Sequence, residues 1–195
     1  MSPLEGPVAR RRTGPPEGEV LVFSADEQHD ADVDLPHLTA LAEGVLAAEG
    51  VRGQCELSLY FVDEATIADL NQRFLDEEGP TDVLAFPIDH EVVDGGRAPD
   101  AGTTGPDRPV VEPDEVPVLL GDVLVCPSVA AGNAALHGVA LGDELALLVV
   151  HGILHVLGMD HAEPDETAAM QAKERTLLER FHQRAPGPDT PRPPS

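Results

Sequence analysis

The chain has 195 residues, 42% of them hydrophobic, with 36 acidic side chains against 12 basic ones and a formal net charge of −24. That is enough chain for one domain with a real core and too little for two to be expected. Two cysteines exclude a disulfide framework, and so acidic a surface excludes a protein that holds polyanions by its bulk charge.

Residues 1–18 carry three arginines with no apolar run behind them, so no secretory signal is expected. Their prolines and glycines read as a disordered tail, as does the proline-rich segment 184–195. The residues between, 19–183, read as a single domain that is more acidic than the whole chain. Val20-Leu21-Val22-Phe23 is a strand candidate, and 35–48 is helical, with Leu38, Leu41 and Leu46 approximating one face. Cys55-Glu56-Leu57-Ser58-Leu59-Tyr60-Phe61 alternates with the period of a half-buried strand, after which Asp63 caps a helix reaching about Phe74. Cys55 and Cys126, each in an apolar run, read as buried free thiols of a reducing compartment.

Residues 81–88 and 116–126, rich in Val and Leu, read as two further strands separated by an acidic Pro/Gly-rich insert at 89–115. Pro127 suits the first turn of a helix to about His137, and Asp143 begins the most apolar helix, ending near Leu157. The apolar run 145–159 falls short of the roughly 20 residues that span a bilayer, so no membrane partner is expected. Pro164 opens a last amphipathic helix with Met170, Leu177, Leu178 and Phe181 at helical spacing. This order predicts an α+β fold: an α/β sandwich of about four strands in a small mixed sheet, about five helices, and a metal site at the end of the central apolar helix.

The stretch that carries chemistry is His151-Gly152-Ile153-Leu154-His155-Val156-Leu157-Gly158-Met159-Asp160-His161. Four residues apart on a helix, His151 and His155 lie about 40° from one another and reach the same point. His161 would sit about 240° round from His155 if the helix continued. Gly158 is where a left-handed residue would end the helix at low steric cost and return His161 to the other two. Three imidazoles plus one open position describe a catalytic Zn2+ site, one ion per chain, although nickel, manganese and iron use the same ligands. Asp160 orients an imidazole or is a turn residue. His29, His37, His90, His137 and His182 lack ligand spacing and read as surface residues. Zinc peptidases of this spacing carry a general-base glutamate directly after the first histidine, where this chain has Gly152. Phosphodiester hydrolysis asks less of side chains, because the ion itself supplies charge and an activated water.

At this motif the sequence resembles the YbeY family of bacterial rRNA maturation factors. Leu70-Asn71, Gly79-Pro80-Thr81-Asp82-Val83-Leu84-Ala85-Phe86-Pro87 and Leu120-Gly121-Asp122-Val123 are similar to that family's other blocks in the same order, so the likeness covers about 55–181. The resemblance implies a cytoplasmic, ribosome-associated, metal-dependent endoribonuclease. Its implied substrate is single-stranded rRNA, notably the 3′ end of the small-subunit rRNA, and its partner the ribosomal small subunit; no DNA is expected. The family's usual catalytic arginine would align at Leu75, and Arg73, two residues earlier, is the candidate to replace it, since a guanidinium clamps phosphate bidentately. Ala85 stands where a serine is frequent, and Met159 where an aromatic residue is. The alternatives are a non-catalytic ribosome-associated adaptor with a structural metal and, less favoured because of Gly152, an atypical zinc metallopeptidase.

Overall fold

A computed structural model describes residues 20–88, 117–159 and 163–182. The tails and the insert inferred from the sequence lie outside these residues, as do His90, Asp160 and His161. In chain order the described elements are β1 (Val20–Asp26), α1 (Leu35–Ala48), β2 (Cys55–Phe61), α2 (Glu64–Leu75), β3 (Val83–Pro87), β4 (Val118–Val125), α3 (Pro127–His137), α4 (Leu141–Val156) and α5 (Pro164–Phe181). This is the expected α+β fold, with a four-stranded mixed sheet and five helices among the described residues.

The sheet order is β1-β2-β4-β3, with β1, β2 and β4 parallel and β3 antiparallel to β4 at one edge. Strand β2 alternates as its sequence requires: Cys55, Leu57, Leu59 and Phe61 are buried, and Glu56, Ser58 and Tyr60 face the other way. Its buried face meets α1, α4 and α5 in the main core, which includes Leu41, Val45, Leu59, Phe61, Val123, Val149 and Ile153. The opposite face is covered more thinly by α2, where Ile67 packs with Val62, Leu84 and Cys126. β1 runs on to Asp26, beyond the apolar run Val20-Leu21-Val22-Phe23, because its ladder with β2 continues through Asp26 opposite Phe61.

Local sequence sets the helix ends. Asp63 accepts from the Thr66 N–H at 2.8 Å, and this bond holds its carboxyl below the ordinary carboxylate range. Pro127 and Pro164 occupy first turns, where no intrahelical N–H is lost. Helix α4 packs on α1, α3, α5, β3 and β4, and each Leu, Ile or Val it buries is worth about 2 kcal/mol. It starts at Leu141, with Asp143 and Glu144 placed in its first turn, where carboxylates complement the helix dipole. Among the described residues no single helix is long and apolar enough to cross a membrane.

Candidate metal centre

Helix α4 ends as its glycine predicts. Gly158 has φ +86°, its N–H donates to the His155 carbonyl, and the Met159 N–H donates to the Leu154 carbonyl, both at 2.9 Å. This paired closure ends the helix directly after the turn that carries His155.

His151 and His155 stand one turn apart with ring centroids 4.6 Å apart and planes at 76°. Their Nε2 atoms approach to 3.1 Å. Two nitrogens bound tetrahedrally to one zinc ion are about 3.3 Å apart, so the pair fits the ion that its donor chemistry implies. On the far side of the ring, His151 Nδ1 donates to Glu174 Oε1 at 2.7 Å. A carboxylate only accepts, so neutral His151 carries its proton on Nδ1 and turns the lone pair of Nε2 toward His155. A carboxylate behind a ligating imidazole is the usual second support of a metal site.

Glu174 is the residue of this candidate centre that the sequence reading missed. It lies 23 residues beyond His151 on another helix, and it is buried in line with Met170 and Leu177 on the inner face of α5. An acid inside an apolar stripe was the available signal, because burying a carboxylate is costly unless something pairs with it. Among the described residues no group of three or more histidine, cysteine or acidic side chains is arranged to hold an ion.

Gly152 is required by packing. A β-carbon there would meet Val123 Cγ1 at 2.6 Å and Val83 Cγ2 at 3.3 Å, so α4 lies against β3 and β4 at its closest approach. A glutamate in the peptidase position would have to push the helix off the sheet.

The histidines open onto a cleft of about 480 Å³ between α4, β3 and the end of α2, walled by Phe74, Leu75, Phe86 and Gly152 among others. Arg73 does not line it. Its guanidinium pairs with Asp69 at 3.1 Å one turn back and remains exposed. A larger cavity, about 640 Å³, lies beside Asp32, His37, Asp143 and His182. Its histidines are joined in line rather than aimed at one point, which leaves the smaller cleft as the chemical site.

His37 and His182, expected at the surface, instead bond to one another at 2.8 Å, and His182 is held by Asp143 with only a tenth of its side chain exposed. Ligand spacing along the sequence could not see a partner 145 residues away. His29 is exposed as expected, and His137 is exposed while reaching Glu144 at 3.3 Å.

The family model described as endoribonuclease YbeY matches residues 23–182. The chain belongs to the YbeY family. It is 47% identical over 150 residues to the protein named endoribonuclease YbeY of Mycolicibacterium smegmatis, covering 77% of each chain. It is 46% identical over 152 residues to that of Rhodococcus erythropolis, covering 78% of this chain and 77% of the relative. The solution structure of TM1509 from Thermotoga maritima superposes with a TM-score of 0.52 at 26% identity, over 83% of this chain and 89% of that one. Within the YbeY fold the recurring blocks have structural tasks. Asn71 ties α2 to the Gly79 carbonyl at 3.0 Å, and Asp82 takes the Asn133 amide of α3 at 2.9 Å. Together they anchor the approach to β3, and β3 walls the cleft.

Proposed function

We propose that this YbeY-family chain is a cytoplasmic, metal-dependent endoribonuclease. It cuts single-stranded rRNA, notably at the 3′ end of the small-subunit rRNA, in association with the ribosomal small subunit. The observation that carries the reading is the convergence of His151 Nε2 and His155 Nε2 in an open cleft, with Glu174 behind the first ring. His151, His155 and His161 would hold one zinc ion, and Asp160, beside the third ligand, would support it. When bound, such an ion supplies a Lewis acid at the scissile phosphate and brings the pKa of water toward neutrality. The chain's own side chains do the rest: Glu174 holds the tautomer of His151, and Leu75 and Phe74 form part of the cleft wall. Arg73 stands one residue from that wall, where release from Asp69 would free it for phosphate.

The second reading is the ribosome-bound adaptor, favoured by the leucine at 75 and by the pairing of Arg73 with Asp69. One experiment separates them: metal analysis of the purified protein, with cleavage of a single-stranded rRNA fragment by wild type, His155→Ala and Arg73→Ala. The expected result is one equivalent of zinc and metal-dependent cleavage, both lost in His155→Ala. Chelation should abolish cleavage and leave the fold intact. Metal without cleavage, or unfolding on chelation, would favour the adaptor.

A further inference from the structure

An enzyme that grips RNA by phosphate charge needs cations in its cleft, and this one has none among the described residues. The lysines and arginines described are Arg52, Arg73, Lys173, Arg175 and Arg180, and none walls the cleft around His151 and His155. Lys173, the chain's single lysine, is paired with Glu49 at 2.7 Å. With a net charge of −24 around it, the cleft needs another source of affinity for a strand.

The cleft offers aromatic surface instead. Phe74, the penultimate residue of α2, is 60% exposed although it is one of only five phenylalanines in the chain. Its ring centroid is 5.0 Å from that of Phe86 on β3, with the planes at 61°. Each ring therefore braces the other edge to face, an arrangement worth more than its contact area alone. Both line the same cleft as the two histidines. Phe23 is nearly as exposed, at 54%, so it is the position of Phe74 in the cleft that distinguishes it: a rigid π face beside a hydrolytic centre suits an unpaired base, because every nucleobase has a face to stack and duplex bases do not offer theirs. The Arg73 guanidinium lies 5.9 Å from the Phe74 ring centroid, so a strand stacked there would bring a phosphate near the one arginine of α2.

We propose that Phe74, braced by Phe86, is a stacking platform for one unpaired nucleobase of the RNA strand, set beside the histidine centre. It supplies base-face affinity where the described walls of the cleft carry no lysine or arginine. The inference rests on the proposed ribonuclease reading for its substrate, and the binding arm of its test does not depend on cleavage.

The chain contains no tryptophan, so Phe74→Trp introduces a single fluorescent reporter at the platform. In a His155→Ala background, which spares the strand, hexa-adenylate should quench the indole emission of Phe74→Trp saturably and still do so at about 0.5 M NaCl, whereas inorganic polyphosphate should not. With active protein, Phe74→Ala and Phe74→Leu should raise KM for a single-stranded substrate by about 5- to 100-fold, with kcat changing far less, and Phe74→Trp should restore KM. Leucine keeps the apolar bulk and removes the π face, so a normal KM in Phe74→Leu would overturn the proposal. Indole emission unmoved by the oligonucleotide would overturn it too. Saturable quenching in a protein whose wild type cuts no RNA would defeat the ribonuclease reading and leave the platform standing.

Discussion

Two histidine pairs, each tied to one carboxylate, lie at different places in this molecule and are wired differently. In the cleft, Glu174 holds the outer nitrogen of His151, and the inner nitrogens of His151 and His155 face each other at 3.1 Å. Across α4, between the ends of α1 and α5, Asp143, His182 and His37 form a line: His182 uses Nε2 on Asp143 and Nδ1 on His37, each at 2.8 Å. Because the carboxylate accepts, Nε2 of His182 donates, and neutral His182 then accepts from His37. The first arrangement brings two ring nitrogens to one point on the cleft, where an ion in place of the shared proton would find both. The second spends its nitrogens along a chain, which clasps three helices together. Residue type is the same in both, so the direction of the nitrogens decides which is a site and which is a strut.

The comparison can be broken by removing the carboxylate from the first and the central ring from the second. Glu174→Ala should cost about 10- to 100-fold in metal affinity, read by competition with a zinc chelator. Retention of wild-type affinity would mean that the bond to His151 does not orient a ligand.

Gly152→Ala sharpens the distinction by testing whether α4 can hold its histidines while moved off the sheet. Alanine in a helix gains about 1 kcal/mol over glycine, but a β-carbon 2.6 Å from Val123 Cγ1 calls for a shift that costs about 1–3 kcal/mol. Val123 is wholly buried, so the packing penalty should win. Urea unfolding should show a net loss, and a gain would show that the sheet gives way easily.

The smallest effect is expected at the strut. His182→Ala should lower stability by about 1–2 kcal/mol in the same unfolding measurement and leave zinc content and cleavage as in wild type. Loss of metal in that variant would mean that the two assemblies are coupled through α4.

Much of this was legible in the sequence because it rests on local rules. The alternation of Cys55 through Phe61 marked β2 with its buried face, and Asp63 and Pro127 marked the starts of α2 and α3. The four-residue spacing of His151 and His155 placed both rings on one side of α4, and Gly158 marked where that helix closes. Each of these depends on residues within one or two helical turns, where the period of the chain converts spacing directly into direction.

Only the tertiary structure decided the rest. It brought Glu174 to His151 from 23 residues away and joined His37 to His182 across 145, separations that no periodicity records. It showed that Gly152 is small because β3 and β4 press on it, and it set Phe74 against Phe86 beside the histidines while turning Arg73 to Asp69. Which atoms of distant segments meet depends on how α2, α4 and α5 pack on the sheet, and that packing is set by the shape of the whole core rather than by any segment of it.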